Sequence, residues 1–588
     1  MRLLIYVLLC TLSIAYVPAL SGQPTLTDSA RLYAIIDTAW SFRSIQRPLD
    51  TEEQDDFLGP DLSQAAIDHR AAFWRSIGEQ LDAIDQTHLS RADQINLRIF
   101  RYITEDQIAS FRFKAHLRPF NAEGGFHTSF GGRPANMRLR DQEAAERYLA
   151  RLESFGRQVD QQLVHLQMAI QTGHVLPADI LGGYDSTAFQ YVTETVEESV
   201  FFRPFTTLPE DMDPAVRQAL LERGRAAISG IVFPAYQRLG AFLRDAYIPA
   251  APVQPGASGL PDGDAYYAQR VRHFTTLDMS PREVFETGLA EVARIRTEME
   301  KVIGETGFTG SFAEFLEFLR TDPQFYASTP RELLAEASYF SKRIDGLLPQ
   351  YFGKLPRLPY GVAPVPDHIA PRYTGGRYVP GSYERHRAGT YWVNTYKLDS
   401  RPLYVLPSLT LHEAVPGHHL QMSLAAELEG LPAFRNRYYI SAFGEGWALY
   451  TEWLGHEMGM YETPYERFGA LTYEMWRACR LVVDPGIHAF GWTRDEAVAF
   501  MTENTALSLH EINTEVNRYI GWPGQAVSYK IGELTIRRLR EEAEQVLGAA
   551  FDLRAFHDKI LENGSVPLFI LEEEVRMWMA TVSGPAGN

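Results

Sequence analysis

Cysteine is nearly absent from this 588-residue sequence, with Cys10 and Cys479 as the two examples. Cys10 falls inside a leader-like start, so the remainder carries one thiol. That leaves no internal disulfide and gives little support to a cysteine zinc site or a Cys–His–Asn protease. A positive excess is missing as well. Lys and Arg number 56 against 74 Asp and Glu, for a formal net charge of −18. Phosphate backbones are bound by clustered cations that release counterions, so no nucleic-acid partner is expected. The charge reads as solubility. Beyond the leader no run approaches the ~20 apolar residues of a spanning helix. The chain also lacks a fixed-period repeat, a low-complexity tract and a Gly-x-Ser-x-Gly elbow, which sets a serine hydrolase well back.

What is present begins at the N-terminus. Arg2 precedes an uncharged apolar run, Leu3 to Val17, followed by Pro18, Ala19, Leu20, Ser21 and Gly22. A positive start, a short apolar core and small residues at a cut site describe a secretory signal peptide. Residues 1–22 are therefore expected to be removed after Ser21 or Gly22. The mature chain would be periplasmic or extracellular, with no membrane anchor. Cys10 sits within the apolar run and does not resemble a lipid-attachment site. An exported chain without disulfides relies on the size of its core, which this length allows.

Hydrophobic periodicity predicts a mainly α fold. Leu152, Phe155, Val159, Leu163, Leu166 and Ile170 recur at three- and four-residue steps. A second helix is expected from Ser280, with Pro281 in its first turn and Glu283 completing a capping box. Its stripe would be Phe285, Leu289, Val292 and Met299, and Gly304 would end it. Pro249 to Gly263 reads as a surface connection. It would join a helical N-terminal part, to about residue 248, to a second part over 264–588. Between Leu355 and Gly389 prolines and glycines interrupt short apolar runs. The following Thr390-Tyr391-Trp392-Val393-Asn394-Thr395 is strand-like, which places a small sheet just ahead of the segment with most chemistry.

That segment is His412-Glu413-Ala414-Val415-Pro416-Gly417-His418-His419. Zinc peptidases commonly hold their metal with two histidines one helical turn apart and use the Glu after the first as base. Here Pro416 occupies the one-turn position. His418 and His419 lie six and seven residues on, about 9 and 10.5 Å along a straight helix. No single ion reaches both ends of such a span, so the helix must break. Pro416 and Gly417 are the residues to break it, which favours His418 over His419 as partner of His412 and leaves both open. His456-Glu457 and His510-Glu511 repeat the dipeptide without a suitable third residue and read as surface pairs. A third ligand is available in Gly444-Glu445-Gly446-Trp447-Ala448-Leu449-Tyr450. Glu445 opens an apolar helix there, and a carboxylate facing a core needs a cation. Glu452, two turns further, has three readings: support for a ligand, an ion pair, or a solvated acid.

The stretches 412–419 and 444–450 resemble the two signatures of the bacterial family catalogued as domain of unknown function 885. Arg518-Tyr519-Ile520, Pro523-Gly524-Gln525-Ala526 and Ser528-Tyr529-Lys530-Ile531-Gly532 resemble its third. Gly389 to Asn394 resembles the strand before its metal helix. The resemblance covers nearly all of the mature chain, which would then be one family unit. That family is similar to gluzincin metallopeptidases, and the likeness implies a large helical fold with a small sheet beside the metal helix. It further implies one Zn2+ per chain on His412, His418 and Glu445, and a peptide as substrate. Glu413 would be the general base, and Tyr529 would donate to the developing oxyanion. Arg518, Tyr519 or Lys530 would contact the substrate, with Arg518 or Lys530 either holding a carboxylate or pairing with Glu515 or Glu533. Tyr391 to Asn394 would offer an edge strand to it. Two alternatives stay open. One is a zinc hydrolase of a non-peptide amide or ester. The other is a peptide-binding protein without catalysis, which Glu413 argues against, since binding needs no base.

Overall fold

The computed structural model describes residues 27–46, 58–367 and 369–584, so the expected leader at 1–22 lies outside the described residues. The chain is mainly helical, with one three-stranded sheet and one two-stranded hairpin among the described residues. Local capping explains where helices begin. Helix α1 (Arg91–Arg112) starts behind Ser90, whose side chain accepts from the Asp93 N–H. Helix α2 (Gln142–Thr172) starts behind Asp141 and buries Leu152, Phe155, Val159 and Leu166, with Leu163 and Ile170 half-buried at the margin. Helix α3 (Pro281–Thr306) has both halves of the Ser280–Glu283 capping box. It runs past Gly304 and stops at Gly307, whose φ of +74° suits glycine. Its buried stripe is also rotated from the expected one. Val284, Gly288, Val292, Ile295 and Met299 face inward, and Leu289 is 43% exposed.

The sheet consists of β1 (Tyr360–Pro364), β2 (Gly376–Val379) and β3 (Gly389–Val393), in the order β1–β3–β2. Strand β3 runs parallel to β1 and antiparallel to β2. The strand expected to offer an edge is thus the central one, and its backbone groups are spent on its neighbours. Tyr391 is fully buried with its hydroxyl 3.4 Å from Thr410 Oγ1. Asn394 is also fully buried, and its amide donates to the carbonyls of Ala370, Tyr373 and Thr374. Both side chains serve the fold, and neither is open to a substrate. The outer edges of the sheet belong to β1 and β2.

Nine α-helices follow among the described residues, and seven of them bear on the site: α4 (Leu406–Glu413), α5 (His418–Ala426), α6 (Ser441–Glu457), α7 (Pro464–Ala489), α8 (Leu509–Gly521), α9 (Ser528–Leu547) and α10 (Leu568–Val582). Helix α7 is buried over most of its length, from Phe468 to His488, with α3 packed along it and α6 against α9. One continuous core runs through the described chain. The stretch 249–263 is docked onto that core. Ala257 is buried, and its N–H donates to His488 Nδ1 at 3.0 Å. Helix α1 reaches across to α10 through Arg91–Glu574 at 2.6 Å and Arg98–Glu573. None of the described helices is long and apolar enough to cross a membrane.

Candidate metal centre

The site begins with a broken helix. α4 carries His412 and Glu413 in its last turn, and Ala414 leaves helical geometry at φ −94°, ψ −116°. The Val415–Pro416 bond is cis, and α5 starts at His418. Gly417 sits hard against the end of α4: a Cβ there would fall 1.9 Å from the His412 carbonyl oxygen. Glycine is required at this point by close approach. The extra residues loop out, and the His412 and His418 rings meet at right angles with centroids 4.8 Å apart.

The break strips carbonyls of their helical donors, and α6 supplies replacements. Trp447 Nε1 donates to the Pro416 carbonyl at 2.8 Å, and the Thr451 hydroxyl donates to that of Leu411 at 3.0 Å. The same helix delivers Glu445. Its position is fixed by backbone contact between α6 and α9, where a Cβ on Gly446 would lie 2.5 Å from Gly532 Cα. Glu445 Oε2 then stands 3.5 Å from His412 Nε2 and 3.4 Å from His418 Nε2.

These distances bear on whether a metal fits. Donors about 2.1 Å from one tetrahedral centre are about 3.4 Å apart. The ligand atoms of His412, His418 and Glu445 all lie within 4.8 Å of one another, the one cluster of its kind among the described residues. Electrostatics agree with that fit. Burial alone would lower the His412 imidazole, but Glu445 and Glu452 on its two nitrogens hold it up to about 10. Burial would raise Glu445, yet His418 and His412 hold it well below the usual carboxylate range. A divalent cation replaces such shared protons directly. The residues present fit zinc.

Supporting contacts surround the three. Glu452 is buried, with Oε1 2.7 Å from His412 Nδ1 and 3.3 Å from Arg477 Nη2, and its Oε2 accepts from the Ser408 hydroxyl at 3.0 Å. It therefore backs His412 and pairs with Arg477, and it is not a solvated acid. With Nδ1–H committed to Glu452, Nε2 is the nitrogen turned to Glu445 and His418, free to take a cation once its proton is displaced. His418 Nδ1, by contrast, is buried with no partner among the described residues. Glu413 is 9% exposed, and its Oε2 accepts the Tyr378 backbone N–H of β2 at 2.8 Å. His419 turns the other way. Its Nδ1 lies 2.9 Å from Tyr378 Oη, its ring packs on Tyr360, and burial lowers it to about 4.

The remaining expected residues divide. Lys530 is fully buried and ion-paired with Glu474 at 2.7 Å, Glu533 at 2.8 Å and Glu291 at 3.1 Å, so it has no freedom to hold a substrate carboxylate. Tyr519 is buried too, its hydroxyl accepting from Trp476 Nε1 at 3.0 Å and Arg480 Nε at 2.9 Å. It is structural. Tyr529 stands 3.4 Å from Arg518 Nη2, and Arg518 keeps part of its surface open. Sequence reasoning missed Tyr439, whose hydroxyl donates to Glu445 Oε1 at 3.2 Å from the exposed side of the site. It also missed Arg477. Glu452 carried a signal in its seven-residue step from Glu445, which keeps both on one helical face, whereas Tyr439 lies before α6 and carried none.

Fold and site define a mainly helical protein with a buried two-histidine, one-glutamate cluster beside a spare glutamate. Residues 50–575 match the family described as bacterial protein of unknown function (DUF885), and the chain belongs to that family. A solved structure of a candidate lipoprotein from Colwellia psychrerythraea is similar at 26% identity and TM-score 0.84, covering 94% of this chain and 99% of that one. Another, a candidate lipoprotein of unknown function from Shewanella oneidensis, shares 18% identity at TM-score 0.74, covers 93% and 99%, and speaks to the fold alone. No curated protein matches the chain.

Proposed function

We propose that this chain is an exported zinc-dependent peptidase. The observation that carries the reading is the triangle of His412 Nε2, His418 Nε2 and Glu445 Oε2, with edges to Glu445 of 3.5 and 3.4 Å, beside an unspent Glu413. Zinc held there would supply Lewis acidity to water and to the scissile carbonyl. Glu413 does the proton work. Its Oε2 is anchored by the Tyr378 N–H, which leaves Oε1 to take a proton from the attacking water. The water oxygen joins the carbonyl carbon, the carbon–nitrogen bond breaks, and Glu413 passes the proton to the departing amine. Tyr439 brings a hydroxyl to the rim of the ligand set, and Tyr529 lies within electrostatic reach of it. These are the donors available to an oxyanion. The outer edge of β2 borders Glu413, so an extended peptide would pair there, in place of the expected β3. Export rests on the leader-like start, and the candidate lipoproteins of similar fold agree with it.

The test is metal content followed by Glu413→Gln. Purified mature chain should retain about one zinc, and peptide hydrolysis should depend on it. The glutamine variant should keep the metal and lose hydrolysis, because an amide accepts no proton from water. A fully active variant removes Glu413 from the reaction. A chain that retains no transition metal removes the zinc reading.

A further inference from the structure

A second cluster, formed by α7, α8 and α9, is left unexplained by the ligand set. Arg480 of α7 is 2% exposed. Its Nε donates to Tyr519 Oη at 2.9 Å and its Nη2 to Glu515 at 3.0 Å, while Nη1 is buried with no partner among the described residues. The guanidinium is held between rings, 4.4 Å from the Trp476 centroid and 4.3 Å from that of Tyr529. Arg518 of α8 shares the same Glu515 at 3.4 Å, donates to Gln525 at 2.6 Å, and keeps 19% of its side chain exposed. Two guanidiniums therefore divide one carboxylate. Arg477 pairs with Glu452 at 3.3 Å, and Arg401, Arg477, Arg480 and Glu515 all lie within electrostatic reach of Glu511. Counting them leaves four arginines against three carboxylates.

A buried cation in excess, with an N–H that no acceptor meets, is a costly arrangement unless an anion arrives to complete it. The arginine fork matches a planar carboxylate and has no comparable use for a neutral peptide group. The cluster also adjoins the candidate metal position. Arg477, one turn before Arg480 on α7, touches Glu452, which holds His412. On the other side Tyr439 donates to Glu445 Oε1 at 3.2 Å and lies within electrostatic reach of Tyr529.

We propose that Arg480 and Arg518 bind the terminal carboxylate of a peptide substrate, so that the enzyme is an exopeptidase releasing a short C-terminal piece. This rests on the peptidase reading of the His412–His418–Glu445 site. Arg518, being partly open, meets the carboxylate first. Arg480, its guanidinium between the Trp476 and Tyr529 rings, presents its idle Nη1 behind it. The released piece keeps its own carboxylate and gains the amine proton delivered by Glu413.

Two measurements test it. Quenched fluorescent peptides, identical except for a free or amidated C-terminus, are compared in kcat/KM with wild type and Arg518→Gln. Calorimetry then follows an N-acetyl dipeptide, as free acid and as amide, binding to the metal-free chain. Wild type should prefer the free acid by about 10- to 100-fold, mostly in KM, as one charge-assisted contact implies. In Arg518→Gln that preference should collapse towards unity. The acid dipeptide alone should bind the metal-free chain. Equal cleavage of acid and amide by wild type overturns the proposal and leaves the peptidase reading standing. So does equal cleavage of an amidated peptide ending in glutamate, which would assign the arginines to a side chain. No hydrolysis, but acid-selective binding lost in Arg518→Gln, supports the carboxylate site and defeats the peptidase reading. Should the variant misfold, the wild-type comparison decides alone.

Discussion

Replacing Glu452 by glutamine isolates what a buried carboxylate behind a ligand contributes. The side chain keeps its shape, and one oxygen still accepts from His412 Nδ1, now 2.7 Å from Oε1. Three things change. The bond to the imidazole loses its ionic partner, so His412 becomes a weaker donor to a cation. Arg477 loses the carboxylate 3.3 Å away and retains the Tyr473 carbonyl at 3.2 Å and two aromatic faces. The new amide N–H faces Ser408 Oγ, whose hydroxyl then turns to Tyr461 Oη at 3.1 Å. Losses of such outer contacts weaken metal affinity about 10- to 100-fold, or about 1.4–2.7 kcal/mol. Stripping a buried arginine of its partner costs about 3 kcal/mol or more of stability, so circular dichroism must first show a folded variant. Zinc competition against a chromophoric chelator at fixed pH then gives the affinities of wild type, Glu452→Gln and Glu445→Ala. Glu445→Ala should hold no stoichiometric zinc. A His419→Gln control should bind as wild type does, since His419 faces Tyr378 and Tyr360. A folded Glu452→Gln within about twofold of wild type would refute the supporting role assigned to Glu452.

Two further outcomes concern the fold. Burial pushes the Asp484 carboxyl up to about 7 despite donors from Tyr267 and the Gly524 N–H. The folded chain then holds a proton that the unfolded chain releases near pH 4, so stability falls as pH rises from about 4 to about 7 and levels above. The total is on the order of 4 kcal/mol. Asp484→Asn has no such proton, and its Tm should gain on wild type across that window; parallel profiles would contradict the assignment. Lys530→Met leaves Glu291, Glu474 and Glu533 facing one another. It should cost about 3–5 kcal/mol in urea unfolding while leaving the free-acid preference of hydrolysis unchanged; a lost preference would return Lys530 to the substrate.

How much was legible depended on whether a pattern had one structural solution. Capping at Ser280 and Glu283 has one, and the helix begins there. The step from His412 to His418 or His419 fixes where the helix breaks, because a straight helix would separate the pair and Pro416-Gly417 is where it turns, but the choice between the two histidines comes from the fold. The expected neighbours of the site fared differently. Tyr391 and Val393 alternate as in any strand, but whether β3 is edge or centre depends on β1 and β2, drawn from an irregular Pro/Gly-rich stretch. Lys530 offered a charge without showing which face of α9 it lay on, and its partners Glu291 and Glu474 come from distant helices. Arg480 went unmarked because an arginine in a mostly apolar helix, even with Arg477 three residues before it, matches no recognised motif. Its meaning comes from Trp476, Tyr519 and Tyr529 closing around it.

The two stretches that bring His412, His418 and Glu445 together are best understood as one unit, because breaking α4 after Glu413 creates a need that α6 meets. Pro416 and Leu411 expose carbonyls that a continuous helix would have satisfied, and Trp447 and Thr451 are set to bond them. Glu445 rides on the same helix. The side chains that repair the break therefore also set the distance from Glu445 to His412 and His418. Trp447→Phe tests this coupling. It keeps most of the ring but strands the Pro416 carbonyl in the core, a loss of about 1–3 kcal/mol. If repair and ligand placement are one device, zinc affinity should fall together with stability. Trp453→Phe is the control, since Trp453 is half-buried and its ring packs on Tyr450, Arg537 and Arg540. It should lower Tm without changing the zinc Kd. A Trp447→Phe variant that loses stability but binds zinc as tightly as wild type would separate the two roles and leave the placement of Glu445 to the Gly446–Gly532 contact alone.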